Sequence, residues 1–543
     1  MQAIAGWLPQ FSLYMRERVH PAQYESYVAS ETSRSVLAME YLWHALQCVL
    51  VIVGFTLAAL IYRQYTYWKK RGIPYMEVIP LIGNQAPIFF KLKTFPELIL
   101  DMYNRYPNAR FIGMMDFNTP LVFIRDPQLI RDIGVKNFDN FPDHMSFVDE
   151  KVDKLFGKNI FSLRGERWKE MRATLSPSFT ASKMKFMFEL ISKTSKDFVT
   201  YLLEHPEETK SIETKDAFTR YTNDVIASAA FGISVNSMRE KDNDFYIHGK
   251  EATDFEGFWK IMKFVMFRVC PSILRLMDQG FVTRDTATFF RTLIQDAVKA
   301  RDEKGIVRPD MIHLLMQARD NERVSLSTDD IVAQAFIFFV AGFDTSSTLM
   351  CYMLHELVFN PDVQQKLREE VDQVTSSAED EVTYEMLQKM KYMDMVISET
   401  LRKHPPVPAI DRVCVKSFQL PQSMPGYSDV TVEKGSVAWF PVHALHYDPQ
   451  YFPDPYKFDP ERFNDENKDK IVPYTYLPFG LGPRMCIGNR FALMETKIIV
   501  THLVQNFLVE RTEKTIDPDK FTLQSFSITP KEGFWLRLKP RKI

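Results

Sequence analysis

Phe479-Gly480-Leu481-Gly482-Pro483-Arg484-Met485-Cys486-Ile487-Gly488 sets a single cysteine on a glycine-punctuated loop, with an arginine two residues before it. An apolar, helix-prone run follows from Phe491 to Val504. A thiolate stays ionised only in positive surroundings, which a metal, the N–H groups of a helix start and a nearby cation supply. The loop therefore suits one thiolate held against a flat, anionic, metal-bearing cofactor. Gly482 and Gly488 let backbone approach a ring closely. Arg484 is placed to pair with a carboxylate on the ring edge. Ordinary burial is the competing reading of any lone cysteine.

The whole decapeptide resembles the haem-ligand loop of the cytochrome P-450 family, the haem-thiolate monooxygenases. That family's pattern, Phe-x-x-Gly-x-Arg-x-Cys-x-Gly, is filled here by Phe479, Gly482, Arg484, Cys486 and Gly488. The resemblance implies that Cys486 ligates the iron of a haem b, with Phe479, Arg484 and Gly488 holding the cofactor.

At 543 residues the length alone suggests about three or four domains of ~150 residues. No Gly/Ser-rich linker, long charge block or internal repeat divides residues 75–540, so one large domain fits better. Hydrophobic residues make up 45%, enough for a large core, and 43 Phe serve either that core or an apolar ligand cavity. A formal net charge of −2 gives no sign of nucleic acid binding. Five cysteines, none in C-x-x-C spacing, point to a reduced, cytosol-facing body without a disulfide framework or structural zinc.

Tyr41 to Tyr62 contains no Asp, Glu, Lys or Arg and is long enough to cross a ~30 Å hydrocarbon layer as one helix. His44 and Gln47 weaken its first turn. Arg63, Lys69, Lys70 and Arg71 follow at once, which places the C-terminal body in the cytosol. The segment starts too late for a cleaved signal peptide, and Glu17, Glu25 and Glu31 argue against a mitochondrial presequence. The expected organisation is an N-terminal extension at 1–40, a transmembrane anchor at 41–62, a linker at 63–80 and the main domain at 81–543. Pro74 and Pro80 stand in the linker without the compact Pro-Gly-Pro hinge usual in the family.

Ser327-Thr328-Asp329-Asp330 is a helix start with a hydroxyl cap and acids in the first turn. The apolar run behind it predicts a buried helix to Asn360, about 50 Å long. Its middle, Ala341-Gly342-Phe343-Asp344-Thr345-Ser346, is unexpectedly polar. Two readings compete. In one, Thr345 bonds back to a carbonyl one turn earlier and Gly342 only permits close packing. In the other, the run resembles the family's oxygen-activation motif. Ala341 and Gly342 would then loosen a turn over the haem, and Thr345 and Asp344 would deliver protons.

Glu399-Thr400-Leu401-Arg402 places opposite charges on one helical face. It resembles the family's Glu-x-x-Arg motif, which implies a buried triad with Arg462 that fixes the cysteine loop. A solvated surface pair is the alternative. Trp168 and Arg172 match the family's Trp-x-x-x-Arg, and together with Arg412 and Arg484 the resemblance assigns them to the haem carboxylates. Arg167, Lys169, Lys403 and Arg490 are candidates for a basic proximal face, or are simply solvated.

The four motifs occur in family order across roughly 65–540. The resemblance implies a mainly α fold: a large single helical domain with small β-sheets, preceded by one transmembrane helix. It implies insertion of one oxygen atom from O2 into an apolar small molecule. NADPH electrons would arrive through a separate flavoprotein reductase, with cytochrome b5 as a further partner, because no dinucleotide fingerprint is present. The location implied is the endoplasmic reticulum membrane.

The runs Asn137–His144 and Leu175–Thr180 look like the insect detoxication branch, family nine, hence xenobiotic substrates, with an endogenous lipid or hormone as the alternative. A haem-thiolate isomerase and a non-catalytic haem or ligand binder are competing classes, and the retained Asp344 and Thr345 weigh against both. Substrate is expected between Phe336–Thr345, Asp143–Phe161, Val407–Asp411 and Phe526–Thr529. The aromatic stretch Phe255, Phe258, Trp259, Phe264 and Phe267 is expected to line an access channel, dip into the membrane or pack as ordinary helix.

Overall fold

A computed structural model describes residues 21–145, 148–254, 256–308, 310–319, 326–376, 381–524 and 527–541. Residues 1–20 of the expected extension, Phe255 and Phe526 lie outside the described residues. The chain forms two compact units, Met1–Thr66 and Tyr67–Ile543.

The described part of the first unit is helical, within α1 (Pro21–Lys70). Its stretch Met39–Lys70 reaches a mean hydropathy of 2.3, and none of that window is buried. By length and composition it can cross a membrane. The two residues that interrupt the apolar pattern satisfy each other: His44 Nδ1 lies 3.2 Å from Gln47 Oε1. The Thr56 hydroxyl donates to the Ile52 carbonyl at 2.8 Å, so it does not face lipid unpaired.

In the second unit, β1 (Phe111–Asp116) and β2 (Thr119–Ile124) form an antiparallel hairpin around Phe117, at φ +49°. Trp68, in the stretch expected to be a linker, donates its indole N–H to the Met114 carbonyl at 2.6 Å. Its ring lies against Gly113, where an added Cβ would approach to 2.5 Å.

The helical body follows. α2 (Gly165–Leu175) and α3 (Ala181–Glu204) precede the short strand β3 (Ile212–Glu213) and α4 (Thr214–Ile226). α5 (Thr328–Phe359) then runs through the core and is buried along most of its length. It starts where the sequence predicts. Ser327 Oγ accepts from Asp330 N at 3.2 Å, and the Asp330 carboxylate accepts from Ser327 N at 2.9 Å.

α6 (Lys391–Lys403) leads into β4 (Ile410–Val413), β5 (Phe418–Leu420), β6 (Val430–Val432) and β7 (Val437–Phe440). The cysteine loop runs into α7 (Asn489–Asn506), and β8 (Phe507–Glu510) and β9 (Trp535–Pro540) close the chain. The sheets are small, with orders β1-β2-β7-β4, β3-β9-β8 and β5-β6.

Much of the phenylalanine goes into the core around α5. Phe339 packs on Phe290 and Phe245 at centroid distances of 4.9 and 5.0 Å, and Phe336 packs on Phe290 at 5.2 Å. Such ring pairs stabilise by about 0.5–1.5 kcal/mol beyond their buried area.

Candidate active site

The cysteine loop closes on itself. Cys486 N donates to the Phe479 carbonyl at 2.9 Å, and Gly480 and Gly482 take left-handed φ values of +81° and +65°. Gly482 is required for a reason other than approach to a ring: an added Cβ would lie 2.2 Å from the Gly134 carbonyl oxygen. Gly488, just before α7, differs. Its added Cβ would meet no protein atom closer than Phe179 at 3.9 Å, and it borders a cavity.

That cavity, of about 390 Å³, is the centre of the site. Cys486, Phe479, Arg484 and Gly488 line it, as do Ala341, Gly342 and Thr345 of α5 and Trp168 and Arg172 of α2. Burial raises the Cys486 thiol above its ordinary value, while the Gly488 backbone and the Arg172 guanidinium pull it down. A bound metal would add the charge needed to deprotonate it outright.

Of the expected substrate segments, Ile337, Phe338, Ile160, Phe161, Val407 and Ile410 border the cavity. Phe336, Phe339 and Phe343 do not. They face the core, so the stretch Phe336–Thr345 contributes one helical face only. Phe258 and Trp259 are 64% and 79% exposed and Phe267 is buried; none of the three borders the cavity.

The turn at Gly342 is not opened. α5 is continuous there, Thr345 Oγ1 donates to the Ala341 carbonyl at 2.6 Å, and Gly342 meets Ile226, where a Cβ would come within 2.9 Å. The backbone therefore takes the close-packed form. Asp344 is absent from the cavity wall. Its Oδ1 accepts from Lys215 Nζ at 2.8 Å, and the same ammonium reaches Ser347 and Thr348 at 2.8 and 2.7 Å. Lys215 carried no signal in the sequence.

The cations form a layered cluster. Arg484 is buried against the Trp168 ring at 3.9 Å. It donates to the carbonyls of Pro142 (2.7 Å), Leu163 (2.9 Å) and Ile160 (3.3 Å) and to Asp143 Oδ1 (3.1 Å). It thus holds the 142–163 segment, a role beyond the expected cofactor pairing. Burial lowers it to about 9.

Arg412 is fully buried, lowered to about 10 by the same cause, and donates to the Asp411 and Leu481 carbonyls at 2.7 and 3.2 Å. Its Nε has no partner among the described residues. Asp411 is already engaged by His144 Nδ1 at 3.0 Å.

The triad assembles. Arg402 grips Glu399 through two bonds of 2.7 and 2.8 Å, both residues are fully buried, and Arg462 Nε approaches Glu399 at 3.4 Å. His446 completes it unannounced by any motif. Its Nδ1 lies 2.9 Å from the Arg402 carbonyl, and its Nε2 accepts from Leu477 N at 3.0 Å, two residues before Phe479. Lys403 does not belong to a basic face, because it is buried between Glu356 and Asp519 at 3.1 Å each.

A protein of this kind has one thiol and one polar helix turn bordering the same apolar cavity, with guanidinium groups in excess beside it. Residues 74–537 match the family model described as Cytochrome P450, and the chain belongs to that family. It is 42% identical over 531 residues to Cytochrome P450 9e2 of Blattella germanica, covering 92% of this chain and 98% of the relative. It is 42% identical over 507 residues to Probable cytochrome P450 9f2 of Drosophila melanogaster, covering 89% and 98%. Cytochrome P450 9c1 of the same fly is 37% identical over 497 residues, covering 88% and 95%. The chain is thus a P450 monooxygenase homologue of the insect family-nine type.

The family implies haem with a cysteine thiolate ligand, and the residues present fit it. Cys486 supplies one soft ligand at the cavity, Arg172 on the same wall is a donor for a carboxylate, and Gly488 leaves room beside the thiol; Arg412, with its unpaired Nε, does not border the cavity.

Proposed function

We propose that this protein is a membrane-anchored, NADPH-dependent haem-thiolate monooxygenase of the endoplasmic reticulum that oxidises apolar xenobiotics. The observation that carries the reading is the shared cavity of Cys486 and Thr345, with its largely apolar lining. The balanced reaction is R–H + O2 + NADPH + H⁺ → R–OH + H2O + NADP⁺. When bound, haem supplies oxygen activation, with electron push from the thiolate.

The chain's own residues do the rest. Phe338, Ile337 and Val407 exclude water and hold an apolar substrate. Arg172, Arg412 and Arg484 orient the cofactor's carboxylates. Thr345 holds a proton at the cavity wall, and Asp344 replenishes it after rotating from Lys215. Glu399, Arg402, Arg462 and His446 keep the loop in place.

The apolar α1 supports anchoring. Phe258, Trp259, Ile273 and Leu276 are each exposed, which supports further contact with lipid. Electrons come from a flavoprotein reductase, with cytochrome b5 as a second donor.

The test is turnover of insecticides and plant toxins by microsomes containing this protein and a reductase, under ¹⁸O2. The expected result is NADPH-dependent product carrying one labelled atom. Product formed without NADPH would favour an isomerase and contradict the proposal.

A further inference from the structure

Between α3 and α4 lies a second cavity, of about 250 Å³, that the oxidation chemistry does not use. Lys193 and Asp197 border it one turn apart on α3. Tyr221, Asp224 and Ser228 follow at the same spacing on α4 and on the π-helical turn Ala227–Phe231 that continues it.

The floor is built around Asp224, which is 7% exposed. Its carboxylate accepts from Ser237 N at 2.8 Å, from the Ser237 hydroxyl and from Asn223 Nδ2 at 3.3 Å, all neutral donors. Arg220, the cation that acts on it, is taken by Asp216 at 2.8 Å. Two aromatic rings border the same cavity, Phe198 and Tyr221, with centroids 5.5 Å apart and planes inclined at 61°. A buried carboxylate beside such rings attracts an ammonium group. At the mouth, Lys193 and Asp197 are exposed, and among the described residues neither is in an ion pair. Lys193 is therefore free to take an anion.

Arg308 forms the wall toward the main cavity. It donates to the Ser228 carbonyl at 3.0 Å and to the Gly232 carbonyl at 3.1 Å. Ala229 and Ala230, which lie between those two residues, border the main cavity. Gly232, at φ +72°, leaves the turn no slack on its far side: an added Cβ would come within 2.6 Å of Arg301 Nη2 and 2.7 Å of Asp310 Oδ2. One π-helical turn thus has a side on each cavity, and an anion that draws Arg308 away from its carbonyls loosens that turn.

We propose that the second cavity binds a small zwitterion, an ω-amino carboxylate of a few carbons, with its ammonium on Asp224 and its carboxylate between Lys193 and Arg308, and that occupancy is passed to the main cavity through Ala227–Phe231. The binding does not depend on the monooxygenase reading and would hold equally for a protein that binds haem without turnover.

The test is calorimetric titration of the full-length protein with glycine, γ-aminobutyrate and δ-aminovalerate, with butylamine and butyrate as single-charge controls. At least one of the three amino acids should bind with a Kd of about 0.1 mM, within the ligand-efficiency ceiling for so small a molecule. Both controls should bind about tenfold more weakly or worse, because each leaves one charged end of the site unmatched. Asp224→Asn should weaken the amino acid about tenfold and Lys193→Met severalfold. Lys193 is exposed, so its variant decides the matter even where Asp224→Asn folds poorly. Saturation with the amino acid should change the affinity for naphthalene, an apolar occupant of the main cavity, about fivefold, and naphthalene should change the amino acid's affinity by the same factor.

No saturable binding of any of the three amino acids would overturn the site. So would binding that both variants leave unchanged, or controls that bind as tightly as the amino acid. Binding that leaves naphthalene affinity unaltered would overturn the link between the cavities.

Discussion

Lys215 Nζ lies 2.8 Å from Asp344 Oδ1, and this ion pair turns the acid of the α5 motif away from the cavity that Thr345 borders. The acid must leave its cation to serve the cavity. Asp344→Asn is therefore expected to lower kcat by about 10²-fold with KM unchanged and to enlarge the solvent isotope effect. Lys215→Met frees the carboxylate and should shrink that isotope effect, again at constant KM. An isotope effect identical in both variants and wild type would remove Asp344 from the proton path.

The Glu399–Arg402 pair has no exposed surface, so removing one member strands a charge in the core. Glu399→Gln should cost about 3–5 kcal/mol. Because His446 ties the Arg402 carbonyl to Leu477, the damage should reach the cysteine loop. The haem-to-protein ratio should fall in Glu399→Gln and, more mildly, in His446→Leu. Full haem content in both would contradict the linkage.

The two loop glycines separate a folding requirement from a cofactor requirement. Gly482→Ala meets the Gly134 carbonyl at a left-handed φ, so it should lower the melting temperature with or without haem. Gly488→Ala meets little protein, so the apoprotein should melt as wild type while haem retention falls. Equal haem content in wild type and Gly488→Ala would show that the cofactor does not use that space.

Acid should destabilise the fold before the carboxylates titrate. Burial lowers His355, His443 and His446 to about 3 and His502 to about 4. Unfolded, each binds a proton below ~6.5, so unfolding takes up protons and stability falls as pH drops from that value. At pH 5 the loss is about 2 kcal/mol per histidine. Glu495 and Asp224, raised by burial to about 8 and about 6, act in the opposite sense and offset part of it. The melting temperature should be lower at pH 5 than at pH 7. Equal values would mean that these imidazoles are protonated within the fold.

What the sequence disclosed was local pattern. The decapeptide at Cys486, the cap at Ser327 and the spacing of Glu399 and Arg402 each lie within a few residues, so their geometry follows from helix or loop periodicity. What stayed hidden depends on distant partners. Lys215 is 129 residues from Asp344, and His446 is 44 residues from Arg402. The Phe336–Thr345 stretch could be assigned to a helix but not to its faces, because Phe290 and Phe245 decide which rings turn inward. Arg484 showed its charge in the sequence, but not the three carbonyls it holds.

Everything proposed for this cavity depends on Cys486 ligating haem as a thiolate. The most direct measurement is the carbon monoxide difference spectrum of the dithionite-reduced, membrane-expressed protein, with Cys486→Ala as control. A strongly red-shifted Soret band that the substitution abolishes is expected. An unshifted band from well-folded protein, or a shifted band that survives Cys486→Ala, would contradict it.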